Sequence, residues 1–295
     1  ADLIRRREDP HFQVVAAYLL DRVKPDIVVA NFAWTAGLLR MLPASVCKIL
    51  DTHDIQHLRS EAHTLVGGEA VRADKAVEIE AWGAADYVVA IQAAEKDLII
   101  KTSGRNNVIL AGHAARPLAA ARKGEPGPIV LFVGNRYGPN TEGLRRFLAE
   151  SWPEIRRRAP QAVLEVAGLV GQDFPDPPEG VRVLGVVPDL AEVYERAAVV
   201  VNPVEVGTGL SIKVIEALCA GRAVVSTIAG MRGVEGEGVL QVKFEKLAEA
   251  IVKILQDPQE RKRREAASVA FAATELTPDR IYRELFNTIE LRLYK

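Results

Sequence analysis

The sequence predicts an α/β protein built from two doubly wound parallel sheets. Strand patterns alternate with helical ones from about residue 24 to 110, and again from 128 to 242, the order that gives parallel, Rossmann-like sheets. Between the two tracts, residues 112–127 read GHAARPLAAARKGEPG, a linker composition rich in Pro, Gly and Ala. The boundary is therefore placed near residue 120. Residues 1–120 form the N-terminal domain, 121–277 the second, and 278–295 a C-terminal helix.

Each element has its own warrant. Residues 11–23 carry helical periodicity through Phe12, Val15, Ala16, Leu19, Leu20 and Val23. KPDIVVANF then switches to a buried strand at 27–30. A helix follows at 34–42 and a strand at 47–50. A long amphipathic stretch, about 55–84, precedes a strand at 87–91, a helix at 93–102 and a strand at 108–110. The first half thus holds about four strands. In the second half, strand 128–133 leads to helix 141–158, strands 163–167 and 181–184, and helix 189–197. Residues 239–242 make a short last strand. Three helices close the chain, and the last, near 278–293, sets Ile281, Leu285, Ile289 and Leu293 along one stripe at steps of four.

Residues 199–227, VVVNPVEVGTGLSIKVIEALCAGRAVVST, organise the rest. Val199, Val200 and Val201 are unbroken and β-branched, as a strand buried on both faces is. Gly207, Thr208 and Gly209 form a loop, and Leu210, Val214, Ile215 and Leu218 set a helical pattern that Gly221 closes. Such a loop aims N–H groups and a helix N-terminus at one point and favours an anion there. GTG alone also describes a tight strand-to-helix turn. Glu216 adds chemistry to the loop, because a carboxylate can accept two hydrogen bonds from a ribose diol.

Bulk properties exclude several classes. The 295 residues suffice for two domains, and 48% apolar with 26% charged residues is a globular balance. A net charge of −1 gives no electrostatic footprint for nucleic acid. Cys47 and Cys219, both in apolar surroundings, make neither a disulfide framework nor a metal site and read as buried thiols in a reducing cytoplasm. No run of about 18 apolar residues spans a membrane. A peripheral membrane contact at its inner face is compatible with all of this.

The segment GTGLSIKVIEALCAGRAVVST resembles the nucleotide-sugar signature of glycosyltransferase family 4, retaining enzymes of the GT-B fold. That family carries two glutamates eight positions apart here; the second matches Glu216, and the first falls on Thr208. Lys213, three residues before Glu216, matches subgroups with a small Gly/Ser/Thr-rich loop. LFVGNRYGPNTEGLRRFL and GVRVLGVVPDLAEVYERAAVVVNP are further family-like pieces, and the resemblance runs from about residue 24 onward. It implies two Rossmann-like domains facing a cleft, with the N-terminal domain on the acceptor side and the final helix returning towards it. The family's opening strand and glycine-rich loop have no counterpart here, so the first domain reads as incomplete, as in a fragment.

The resemblance also implies roles for residues. His53, after the strand in ILDTHDIQ, would face the donor sugar; otherwise it belongs to a helix start with Asp54 as N-cap. His57 and His63 read as surface residues of a helix, and His113 lies in the linker. Arg136 sits where the family places an arginine for the donor diphosphate. The lysine that accompanies it is absent, Pro139, Asn140 and Thr141 stand in its neighbourhood, and Lys213 is the candidate for the second charge. Gly207, Thr208, Gly209, Leu210, Ser211 and Glu216 would bind the donor, with Gly185 and Val186 near the base. No aspartate-rich metal motif occupies a suitable loop, so neither metal nor other cofactor is expected. The implied activity is hexosyl transfer, with retention, from a nucleoside-diphosphate sugar to a glycan or lipid-linked acceptor, as in polysaccharide biosynthesis. Two other readings stay open: a non-catalytic or regulatory nucleotide-binding module, and a sugar-nucleotide epimerase of the same fold. A nicotinamide-dependent oxidoreductase would need a GxGxxG turn after a strand, and none is present.

Overall fold

The structure, a computed structural model, describes residues 2–67, 72–117 and 124–293. By its internal contacts the chain divides into two compact units. One comprises Ala1–Gly112 with Thr208–Leu210 and Ile281–Lys295, the other His113–Gly207 with Ser211–Arg280. The boundary expected near residue 120 lies outside the described residues.

The first unit is built on a four-stranded parallel sheet of β1 (Ile27–Asn31), β2 (Cys47–Asp51), β3 (Tyr87–Ala90) and β4 (Val108–Leu110), in that order. Leu50, Val88, Ala90, Leu39 and Trp82 fill one of its cores. The stretch expected as one amphipathic tract contains two helices, Gln56–Leu65 and Lys75–Trp82; residues 68–71 lie outside the described part. The helix expected over 34–42 is a 3₁₀ turn, Ala33–Thr35, followed by a short helix, Ala36–Arg40.

Two helices show where periodicity overstates burial. Helix Pro10–Val23 forms as the pattern demands, with Asp9 accepting from the His11 N–H at its start. None of its residues is fully buried, and Val14, Val15, Tyr18, Leu19 and Val23 stay exposed. The C-terminal helical stretch breaks at Tyr282 into Pro278–Ile281 and Arg283–Leu293. Tyr282, Leu285 and Ile289 pack on Cys47, Ile49 and Ile109, while Leu293 is exposed. The break rotates the expected stripe, so Tyr282 takes the place of Ile281.

The second unit has six parallel strands: β5 (Ile129–Val133), β6 (Val163–Ala167), β7 (Val181–Gly185), β8 (Val199–Asn202), β9 (Val224–Thr227) and β10 (Val239–Val242). Their spatial order is β10-β9-β8-β5-β6-β7. Val130, Phe132, Leu164, Val166, Val199, Val201 and Val225 share one buried cluster with Leu144, Phe147, Trp152, Leu247 and Ile251 of the covering helices. Alternate residues Leu131, Val200 and Val224 are buried as well, so the central strands are covered on both faces. The chain winds one way from β5 to β7 and the other way from β8 to β10. That reversal between β5 and β8 opens a crevice at their carboxyl ends, where open α/β sheets bind ligands.

The helix expected over 141–158 starts at Gly138 and contains a π-helical turn, Phe147–Ser151, before Trp152–Arg158. Pro153 explains the widened turn, since its ring cannot fit an ordinary α-helical interior and it has no N–H to donate. Cys47 and Cys219 are free and buried, one in each unit. Burial pushes both thiols up, Cys219 to about 11 with the Glu216 carboxylate adding to the effect. Among the described residues no helix is long and apolar enough to cross a membrane.

Candidate functional site

The crevice of the second sheet collects the signature residues. β8 ends in Asn202, whose buried amide donates to Ser211 Oγ (3.1 Å) and to Gly230 O (2.5 Å), tying strand end, loop end and the turn after β9 together. The helix that follows runs Ile212–Cys219, starting after Leu210, and turns Val214, Ile215, Ala217 and Leu218 inward. It ends on Gly221, which takes the left-handed conformation (φ 66°) that a helix terminus asks of glycine. The outer side of its first turns is left for Lys213 and Glu216, one turn apart.

Two side chains from the β5 side hold Lys213. Its ammonium donates to Asn140 Oδ1 at 2.6 Å and lies 4.6 Å above the centre of the Phe132 ring. Asn140 in turn donates to Asn135 O at 3.0 Å, so the loop after β5 carries the other half of this seat. Burial first, and then the positive charge of Arg232, lower the Lys213 pKa to about 7, against the attraction of Glu216. The ammonium thus sits where an anion would be welcome.

Glu216 is positioned from behind. Tyr194, almost wholly buried, donates its hydroxyl to Glu216 Oε2 at 3.1 Å. Burial and that carboxylate push the phenol well above its ordinary pKa, so it remains a donor. No basic side chain is needed to hold Glu216 in place.

Arg136 has a different engagement. Its Nε donates to Asp173 Oδ1 at 2.7 Å, and Thr141 Oγ1 donates to Asp173 Oδ2 at 2.7 Å. The Thr141 hydroxyl and the guanidinium hold the Asp173 carboxyl below its usual range. Gly185 and Val186 lie at the end of the edge strand β7, three strands from β8, or about 14 Å across the sheet. Gly185 O accepts from the Gly168 N–H, and Val186 is exposed.

In the first unit, His53 stands just past the carboxyl end of β2 with a left-handed backbone (φ 54°). Its Nε2 lies 2.9 Å from Asn31 Oδ1, and its N–H donates to Asp51 Oδ1 at 3.0 Å. The ring stacks on Phe32 (4.4 Å between centroids), which stacks on Trp34 at the same distance. Asp54 is not a helix N-cap; that position is Ile55, and the helix start is capped from outside by Glu78, which accepts from the Gln56 and His57 N–H groups. His57 is therefore no surface residue. It is buried, with Nδ1 2.7 Å from Glu78 Oε2. Thr208, Gly209 and Leu210 group with this unit. The Thr208 hydroxyl donates to Asp54 Oδ2 (3.1 Å), Gly209 O accepts from Gln92 Nε2 (2.9 Å), and a Cβ on Gly112 would meet Leu210 Cδ2 at 3.4 Å.

Sequence reasoning missed Tyr194 and Arg232, and it recorded Asn140 only as a neighbour. Asn140 and Arg232 follow the carboxyl ends of β5 and β9, a place that strand-end logic alone would have searched. Nothing in the sequence pairs Tyr194 with Glu216. Among the described residues no group of three or more His, Cys, Asp or Glu is arranged to hold a metal ion.

Comparison with known proteins gives this geometry its setting. Residues 127–257 match the family of glycosyl transferases group 1. No curated protein sequence matches the chain. Among solved structures, TarM superposes with a TM-score of 0.72 at 14% identity, over 95% of this chain and 58% of TarM. Anabaena HepE in complex with UDP gives 0.73 at 15% identity, over 96% and 85% of the two chains. Sucrose-phosphate synthase from Thermosynechococcus elongatus gives 0.72 at 20%, over 97% and 78%. The two parallel-sheet α/β units of this chain therefore have the GT-B fold of these proteins. The chain spans little more than half the length of TarM. Within the matched residues lie Lys213, Glu216, Arg136, Asn140 and Tyr194.

Proposed function

We propose that this chain is the core of a glycosyltransferase that moves a hexosyl group from a nucleoside-diphosphate sugar to a glycan or lipid-linked acceptor. The observation that carries the reading is the pairing of Lys213 and Glu216 on one helix at the β5–β8 crevice, within the matched residues. An acceptor-only carboxylate fits the two neighbouring hydroxyls of a ribose, and a cation one turn before it fits the diphosphate. Solved structures of similar fold support the class of donor: HepE has been captured with UDP-glucose, and TarM with UDP and α-GlcNAc-glycerol. A cytoplasmic setting, where the two thiols stay reduced, accompanies the proposal.

The chemistry needs charge placed well more than it needs a nucleophile on the protein. The bond from the anomeric carbon to the diphosphate oxygen breaks, and its electron pair leaves with the nucleoside diphosphate. An acceptor hydroxyl oxygen bonds to the anomeric carbon and loses its proton. Negative charge grows on the diphosphate, so a cation fixed there binds the transition state better than the ground state. Lys213, already positioned by Asn140 and Phe132, reorganises little at that moment. Retention at the anomeric carbon is part of the proposal through the family resemblance.

The test is isothermal titration of UDP and UDP-glucose, with ADP- and GDP-linked sugars beside them, followed by product analysis with candidate acceptors. Binding with a dissociation constant in the micromolar range and acceptor-dependent release of nucleoside diphosphate are expected. Absence of binding by every nucleotide would end the proposal. A second reading, a nucleotide-binding module without transfer, is favoured by one feature: Thr208 stands where the family has a glutamate, and its hydroxyl is spent on Asp54. Tight binding with no turnover across acceptors would select it.

A further inference from the structure

We propose that Asn140 is a positioning residue for Lys213, a neutral acceptor that fixes the ammonium without cancelling the charge a diphosphate needs. The inference rests on the nucleotide-sugar reading above and adds a residue to it. Lys213 Nζ donates to Asn140 Oδ1 at 2.6 Å, and at its other end the amide donates Nδ2 to Asn135 O at 3.0 Å. Turning the amide over would set a donor against the ammonium and an acceptor against a carbonyl, so one orientation alone pairs both ends. An aspartate of the same shape would serve the ammonium and repel the carbonyl. A leucine would serve neither.

The amide is held by its backbone as well. Asn140 lies in the first turn of helix Gly138–Arg146, and its N–H donates to Tyr137 O at 2.8 Å. Gly134 leaves the room that Phe132 and Asn140 share: a Cβ there would stand 3.0 Å from Phe132 Cε1 and 3.5 Å from Asn140 Cγ. Gly134 is itself tied to the end of β6, its N–H donating to Ala167 O at 2.9 Å. Ring, amide and glycine thus form a seat at the carboxyl end of β5, into which Lys213 reaches from its own helix. A long side chain held this way gives up little further freedom when a ligand arrives.

Both groups that touch the ammonium are neutral, an amide oxygen and the face of a ring. Of its three N–H donors Asn140 takes one, and the whole positive charge stays available to a ligand. The charged groups that act on Lys213 are Glu216 on its own helix, which attracts, and Arg232 after β9, which repels; the Glu216 carboxylate also accepts from the Tyr194 hydroxyl. Burial is the largest influence and brings the Lys213 pKa down to about 7. A hydrogen bond to the charged form works against that loss, so Asn140 supports the protonated state without pairing it. A carboxylate in its place would support that state more strongly and would compete with the diphosphate for it.

Isothermal titration of inorganic pyrophosphate, UDP and uridine between pH 6 and 9 decides the matter, with wild type, Asn140→Leu, Asn140→Ala and Asn140→Asp. Lys213→Met in the same series supplies each ligand's own pH dependence. Asn140→Leu should weaken pyrophosphate and UDP by ~10-fold at pH 7.5 and leave uridine within about twofold. The pH above which binding weakens should move down, as the ammonium has lost its acceptor. Asn140→Ala should do the same, and carries this arm if the leucine variant does not fold. Asn140→Asp should weaken both anions by a similar factor below pH 7, yet move that pH up, because an ion pair holds the proton. A merely structural amide would weaken uridine and UDP alike and leave the midpoint in place. If the variants bind UDP as wild type does, lose UDP and uridine alike, or keep the wild-type midpoint, this assignment is wrong while the nucleotide reading stands. If wild type binds neither pyrophosphate nor any nucleotide, both are wrong.

Discussion

Replacing Glu216 by glutamine tests the ribose contact with the least disturbance of shape. The carboxylate has two oxygens, and Tyr194 already donates to Oε2 at 3.1 Å. Each carboxylate oxygen offers two lone pairs, which leaves Oε1 and the outer lone pair of Oε2 for the 2′- and 3′-hydroxyls. In the glutamine variant the Tyr194 hydroxyl, a donor held by burial, will claim the remaining carbonyl oxygen. The NH₂ group then faces the ribose, a donor against a donor. One charged hydrogen bond of ~1.5–3 kcal/mol is lost outright and the other loses its charge assistance. A loss of about 2 kcal/mol corresponds to roughly thirty-fold in affinity. Tyr194→Phe, which frees the carboxylate to leave its position without altering its charge, should cost less than Glu216→Gln. The assay is calorimetric titration of a ribonucleoside diphosphate against its 2′,3′-dideoxy analogue. Wild type should prefer the ribose form and Glu216→Gln should show almost no preference. Equal binding of the two ligands by wild type would refute the ribose assignment.

Three further outcomes follow from the same geometry. Nucleoside diphosphate affinity should hold steady below pH 7 and weaken by about tenfold per unit above it, because a Lys213 with a pKa of about 7 must be protonated to bind; Lys213→Met should abolish that slope, as titration across pH 7–9 would show. Glu95, buried beside the Asp54 and Glu78 carboxylates, has its pKa raised to about 7, chiefly by burial, so the stability it contributes at low pH is lost as pH rises through 7. Glu95→Gln should therefore be more stable than wild type at pH 8, by about 2–3 kcal/mol, and show no difference near pH 4; thermal unfolding in both buffers would settle the point. His53→Ala should slow sugar transfer by ~10²-fold with little change in donor affinity, and an unchanged rate in a product assay would remove His53 from the chemistry.

How much of this was legible before folding depends on the range of the interaction involved. Strands read well because burial on both faces writes itself into consecutive residues: 199–201 and 163–167 need nothing beyond their own Val, Leu and Ala content. Glu216 and Lys213 were visible because loop, helix and spacing are local. His57 was misread because the partner that buries it, Glu78, sits on another helix 21 residues on, and helical periodicity cannot report such a partner. The Asp173 carboxylate that pairs with Arg136 was hidden for the same reason; it belongs to a short 3₁₀ segment without a sequence signal.

The two cysteines, one inside each unit, turn the protein into its own unfolding gauge. Cys47 lies on a central strand of the first sheet, and Cys219 at the end of the helix bearing Glu216. Both thiols are buried and raised in pKa, so neither reacts with an alkylating reagent until its surroundings open. Since the sequence holds two cysteines in all, each labelled peptide identifies one half of the chain without any engineered probe. Labelling rates in mild denaturant would then give two opening free energies from a single sample. A nucleotide seated at Glu216 would slow the modification of Cys219, a neighbour three residues along the same helix, more than that of Cys47.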